Sequence, residues 1–260
     1  MTTEPAVPSV DLNADLGEGF GVWRLGDDEA LLAVITSANI ACGFHGGDPA
    51  IMRRTCSLAV ERGVRIGAQV SYRDLTGFGR RRIDVEPDEL AADVLYQLGA
   101  LDGLARAAGD RVRYVKPHGA LYNTVVDDET QATAVVEAVV AYDRTLPLMC
   151  LPGSVLLRVA AEAGLPTVEE AFADRAYTAS ATLVHRSAPD AVVHDPRAAA
   201  DRAVQMAVAG SVVAIDGTTI QVSGRSICVH GDTPGAVEIA LEVRRALDAA
   251  GVLIDRKSVV

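Results

Sequence analysis

Three of the five histidines in this sequence stand beside glycine, in Phe44-His45-Gly46, Pro117-His118-Gly119 and Val229-His230-Gly231. Each triplet follows a short run rich in strand-forming residues, so each imidazole falls where a β-strand turns into a loop. Carboxylates gather at the same kind of place: Asp15 and Glu18 after the first such run, Asp48 after His45, and Asp232 after His230. Neutral imidazole ligates metals and also titrates near neutrality, so the set suits a metal centre or general acid/base catalysis. No His-Glu-x-x-His or other close ligand spacing decides between the two.

Lys116 adds a second signal. Apart from Lys257 it is the only lysine in the chain, and every other basic side chain is arginine. Lysine at a strand end can act as a compact point charge, lose its proton or attack as a nucleophile, none of which guanidinium does readily. Lys116 and His118 share one face of their strand. Asp11, Asn13 and Asp15 share one face of the first, with Leu12, Ala14 and Leu16 on the other.

The elements that must position these groups alternate strand and helix along the chain, the pattern of a parallel sheet covered by helices. Strands are expected at residues 10–14, 37–41, 65–69, 113–116, 146–150, 167–170 and 226–229. Helices are expected at 50–62, 87–108, 129–142, 154–163, 196–209 and 235–249. Asp216-Gly217 between 212–215 and 218–222 reads as a two-residue hairpin turn. The fold class is α/β, an irregular (βα) barrel of about seven parallel strands, in which chemistry collects at the C-terminal strand ends. Residues 1–8 read as a flexible lead, 9–250 as a single barrel domain and 251–260 as a tail.

With 49% hydrophobic and 23% charged residues, composition is that of a globular domain. A net charge of −11 without basic-aromatic patches argues against nucleic acid as a partner. No apolar run is long enough for a membrane span, and the first residues lack the pattern of a signal peptide. The four cysteines are scattered, as expected of reduced thiols in the cytoplasm. There is no Gly-x-x-x-x-Gly-Lys-[Ser/Thr] phosphate loop and no Gly-x-Ser-x-Gly elbow, so ATP chemistry would need another polypeptide.

Five ordered segments together resemble the LamB/YcsF family: DLNADLGE at 11–18, NIACGFHGGDP at 39–49, KPHGALYN at 116–123, EAFADRAY at 170–177 and ICVHGDTPGA at 227–236. The resemblance implies a glycoside hydrolase/deacetylase-like barrel. That barrel would work with partner subunits B and C to open the lactam of 5-oxoproline to glutamate, coupled to hydrolysis of ATP, with Mg accompanying the nucleotide. It implies Asp15, Lys116, His118, His45 and His230 as catalytic residues, with Asp15 or a histidine as base and Lys116 at the developing oxyanion. Substrate contacts are expected from Asn13, Glu18, Asp48, Gln69, Asn123, Glu170, Asp174, Arg175 and Asp232, Arg175 pairing with the substrate carboxylate. The sequence departs from the family at Gln69-Val70, where members often carry His-Pro, and residues 178–186 are poorer in glycine than expected. The alternatives are a non-catalytic binding subunit or a stand-alone metal-dependent amide or carbohydrate hydrolase, and a protein-bound catalytic metal stays open.

Overall fold

A computed structural model describes residues 7–255. The strands are β1 (Ser9–Leu16), β2 (Ser37–Ala41), β3 (Arg65–Val70), β4 (Tyr114–Pro117), β5 (Leu148–Cys150), β6 (Thr167–Phe172), β7 (Ser211–Val213), β8 (Thr219–Gln221), β9 (Ser226–Val229) and β10 (Leu253–Ile254). The helices are α1 (Asp28–Leu32), α2 (Pro49–Arg62), α3 (Pro87–Ala108), α4 (Gly119–Thr124), α5 (Glu129–Tyr142), α6 (Val155–Glu162), α7 (Pro196–Ala209) and α8 (Ala236–Ala249). Strands β1 to β6 pair in sequence order, β6 pairs with β9, and β9 returns to β1, all in parallel. Seven parallel strands thus close a barrel, as the strand and helix rhythm implies.

Strand parity divides the barrel wall. Leu12, Ala14 and Leu16 of β1 are fully buried towards the helices, whereas Asp11, Asn13 and Asp15 point into the barrel. The interior is filled rather than open. Tyr114 lies across Gly67, where an added Cβ would come within 2.1 Å of the ring, and packs with Met149 and Val168. Its hydroxyl donates to Asn39 Oδ1 at 2.6 Å. The outer helices start on side-chain caps that satisfy otherwise unpaired N–H groups: Asp48 before α2, Asp128 before α5, Ser154 before α6 and Asp195 before α7.

Two expectations need revision. The β7–β8 hairpin has a three-residue turn over 215–217, because Ala214 N–H still bonds the Thr218 carbonyl; Gly217, at φ +88°, closes it. The stretch 251–260 begins with β10, which pairs in parallel with the first residues of β1, and Asp255 N–H bonds the Val10 carbonyl. Residues 1–6 of the expected lead and 256–260, including Lys257, lie outside the described residues. Among the described residues no helix is long and apolar enough to cross a membrane.

Candidate active site

Lys116, the penultimate residue of β4, projects into the C-terminal end of the barrel. Its Nζ lies 2.7 Å from Glu170 Oε1 on β6, 3.1 Å from Asp15 Oδ1 on β1 and 3.2 Å from Cys228 Sγ on β9. Asn39 Nδ2 donates to Asn13 Oδ1 at 2.7 Å and to Asp15 Oδ1 at 2.8 Å, which fixes the acceptors below the ammonium. Burial alone would push the lysine down, but Asp15, Cys228 and Glu170 outweigh it and hold Lys116 well above its usual range. Burial likewise opposes ionisation of Asp15, yet Lys116, His230 and His118 hold that carboxyl below the ordinary range. Of the three roles open to a strand-end lysine, the geometry therefore provides the fixed point charge. Asp15, locked against it, is a weak proton acceptor, so of the two expected candidates for a base, Asp15 or a histidine, the histidines suit the role better.

His230, just after β9, has a geometry that suits a proton acceptor. Asp174 accepts from its ring Nδ1 at 2.9 Å and from its backbone N–H at 2.9 Å. Holding the proton on Nδ1 leaves Nε2 with its lone pair, the arrangement of an oriented general base. Phe172 stacks on the imidazole with centroids 5.5 Å apart. Burial would raise the Asp174 carboxyl, but its contacts with His230 keep it below the usual carboxylate range. Asp174 thus fixes the orientation of the His230 ring.

The other two strand-end histidines form a separate group. His45 and His118 stack with centroids 3.8 Å apart and ring planes 12° apart. Gln69, at the end of β3, spans their edges: its Oε1 lies 3.2 Å from His45 Nε2 and its Nε2 lies 2.9 Å from His118 Nδ1. Glu18 Oε1 stands 3.5 Å from His45 Nε2 and 3.6 Å from His118 Nδ1. The loop after β3 covers the group. Phe78, at φ +56°, accepts from His118 Nε2 through its carbonyl at 3.0 Å and sets its ring edge-on to both imidazoles. The residue expected to replace a family histidine is therefore the bridge between two others.

A cavity of about 550 Å³ opens above Lys116. Asp15, Lys116, His118, Asn123, Arg175 and His230 line it, as do Tyr122 and Phe172, and Arg80, Arg82 and Arg186 ring its mouth. In a chain of net charge −11 this concentrates cations around one opening. Arg80 bonds Asp232 Oδ2 at 2.6 Å, and Arg186 stands 3.8 Å from the same oxygen, so Asp232 ties the rim together rather than lining the cavity.

Several expected substrate contacts have other duties. Asp48 caps α2, accepting from Ala50 and Ile51, and also from Gly21 N–H at 2.7 Å. Asn13 and Glu170 lie beneath Lys116 and hold it. Arg175 donates Nε to the Ala191 carbonyl and Nη2 to the Val184 carbonyl, so it secures the loop after β6 while also lining the cavity. Sequence does not single out Arg80 and Arg186, because one arginine among many carries no mark; Tyr122 sits inside the KPHGALYN segment and is legible there.

The chain is similar to known proteins over nearly its whole length. The chain is 65% identical over 94% of its length, and 98% of the relative's, to a Streptomyces avermitilis protein named as the A subunit of 5-oxoprolinase. A Mycobacterium marinum protein of the same name is 59% identical over 94% of this chain and 97% of its own. Among solved structures, a lactam utilization protein from Thermus thermophilus superposes with a TM-score of 0.90 at 46% identity, covering 95% of this chain and 98% of that one. The family model described as the LamB/YcsF family matches residues 10–259.

Proposed function

Because this chain belongs to the LamB/YcsF family, we propose that it is the lactam-holding A subunit of an ATP-dependent 5-oxoprolinase, acting with B and C subunits. The observation that carries this reading is the pairing of a fixed ammonium, Lys116, with an Asp174-oriented His230 on the floor of a cation-rimmed cavity. A five-membered lactam is a poor electrophile and is favoured over the open amino acid. Transfer of a phosphoryl group from ATP to the amide oxygen answers both problems, and the partner subunits supply that step.

Water then adds to the activated ring carbon while His230 Nε2 takes its proton. Addition across the C=N bond places the electron pair on the ring nitrogen, and as the added hydroxyl then loses its proton, the negative charge on its oxygen faces Lys116. The ring C–N bond breaks, the nitrogen takes up the proton as it leaves, and a further water releases phosphate from the acyl phosphate to give glutamate. The arginine rim, not Arg175 alone, suits the substrate carboxylate and the phosphoryl group, both of which guanidinium recognises well.

The test is glutamate release from 5-oxoproline by the purified chain mixed with its B and C partners, with ATP and each component omitted in turn. Release that requires all of them supports the proposal, and Lys116→Met in that assembly should lower it about a hundredfold or more. Release without ATP, or by this chain alone, would sink the ATP-coupled reading in favour of a stand-alone hydrolase.

A further inference from the structure

The group beside the cavity, Glu18, His45, Gln69 and His118, is not used by the chemistry above. Its three ionisable members are all buried, at 3%, 1% and 5% exposure. A buried carboxylate normally accepts several hydrogen bonds, yet Glu18 Oε1 has no hydrogen-bond partner and faces two ring nitrogens. An orphaned oxygen in that position calls for a proton or a cation. The spacing favours the cation: one ligand atom from each of Glu18, His45 and His118 lies within 4.8 Å of the others, and the two carboxylate-to-imidazole distances are 3.5 and 3.6 Å. Two ligands bound tetrahedrally at ordinary zinc distances lie about 3.4 Å apart.

The geometry points to a site for a single first-row divalent cation, with Glu18, His45 Nε2 and His118 Nδ1 as ligands and the Gln69 carbonyl oxygen as a fourth. The remaining nitrogen of His118 already has the outer partner such ligands use, the carbonyl of Phe78 at 3.0 Å. His45 Nδ1, which has no hydrogen-bond partner, can carry that ring's proton when Nε2 turns to a metal. Two imidazoles with a carboxylate and an amide oxygen suit Zn²⁺ and its first-row neighbours better than Mg²⁺. Because the rings now stack at 3.8 Å, loading requires them to turn apart, aided by the amide of Gln69 leaving its bridge.

The site is independent of which lactam, if any, the cavity holds, so it can be tested without turnover. The full chain, stripped with chelator, would be titrated with Zn²⁺ by calorimetry and with Co²⁺ by visible absorption. One equivalent should bind. Glu18→Gln, shown folded by circular dichroism, should weaken binding by about tenfold or more, and Gln69→His, which adds a third imidazole, should tighten it by a similar factor. Anomalous diffraction at the zinc edge should place the ion between the two rings. Absence of binding by the unaltered chain, or binding that neither substitution changes, would overturn the proposal.

Discussion

Lys116 and His230 owe their proposed roles to what surrounds them rather than to residue type. The ammonium is fixed because two carboxylates and a thiol sulfur lie within 3.2 Å of it, and the imidazole is oriented because Asp174 holds both its Nδ1 and its backbone N–H. Asp174→Asn keeps the shape but replaces an acceptor with an amide that can also donate, which frees the ring to take the wrong tautomer. Turnover in the complete assembly should fall by about 10²–10⁴, while 5-oxoproline binding to the chain stays within a few-fold. Equal losses in turnover and in binding would instead make Asp174 a scaffold for the loop. The aspartate beside Lys116 illustrates the converse: the family resemblance implies Asp15 or a histidine as base, but the ion pair of Asp15 overcomes the effect of burial and lowers its affinity for a proton.

At the scale of elements, the loop between β3 and α3 decides how tightly the histidine pair is covered. Gly79 in that loop has φ +65°, and an added Cβ would come within 2.8 Å of His118 Cδ2 and 2.9 Å of His45 Cβ. Gly79→Ala combines an unfavourable backbone conformation with a collision against Ser71 Oγ, the His118 ring and His45 Cβ, so it should cost about 1–3 kcal/mol, read as a shift in the denaturant midpoint. An unchanged midpoint would mean the loop moves away freely. Much of the scaffold is legible in the sequence. The bounds of β2, α5, α7 and β9 match those expected, because short runs of strand-forming residues mark the strands and the helical spacing of apolar residues marks the helices, whose starts are fixed by the Asp128 and Asp195 caps. The strand β10 carries no such mark, since two residues have no periodicity and their partner is the far end of the chain. Asp-Gly signals the hairpin but not its three-residue turn, which depends on where the ladder stops. Strand parity likewise finds the inward groups Asp15, Lys116 and His118, whereas the duties of Asp48 and Arg175 depend on which backbone groups consume their hydrogen bonds. That is settled only in three dimensions.

Over the whole molecule, the barrel interior carries polar groups at both ends, the candidate site at the upper end and a liability at the lower. Asp11 lies at the lower end, fully buried, accepting from Thr36 Oγ1 at 2.7 Å, Ser37 Oγ at 2.6 Å and Ser226 Oγ at 2.5 Å. Burial pushes the carboxyl from 3.8 up to about 6, outweighing those three bonds, which favour the charged form. A carboxyl that holds its proton more tightly when folded adds stability below pH 3.8, and that contribution is lost as pH rises through about 6. Other carboxylates, Asp74, Asp102 and Asp174 among them, are shifted down and act in the opposite sense, so the wild-type profile alone mixes the two. Subtracting the profile of Asp11→Asn isolates the effect. The wild type's advantage over the variant should fall by on the order of 2–3 kcal/mol between pH 4 and 6.5 in urea melts, and stay flat above that range. A difference that grows with pH would mean the three hydroxyl donors stabilise the buried carboxylate more than burial opposes it, and that the lower barrel accepts a charge as readily as the upper one.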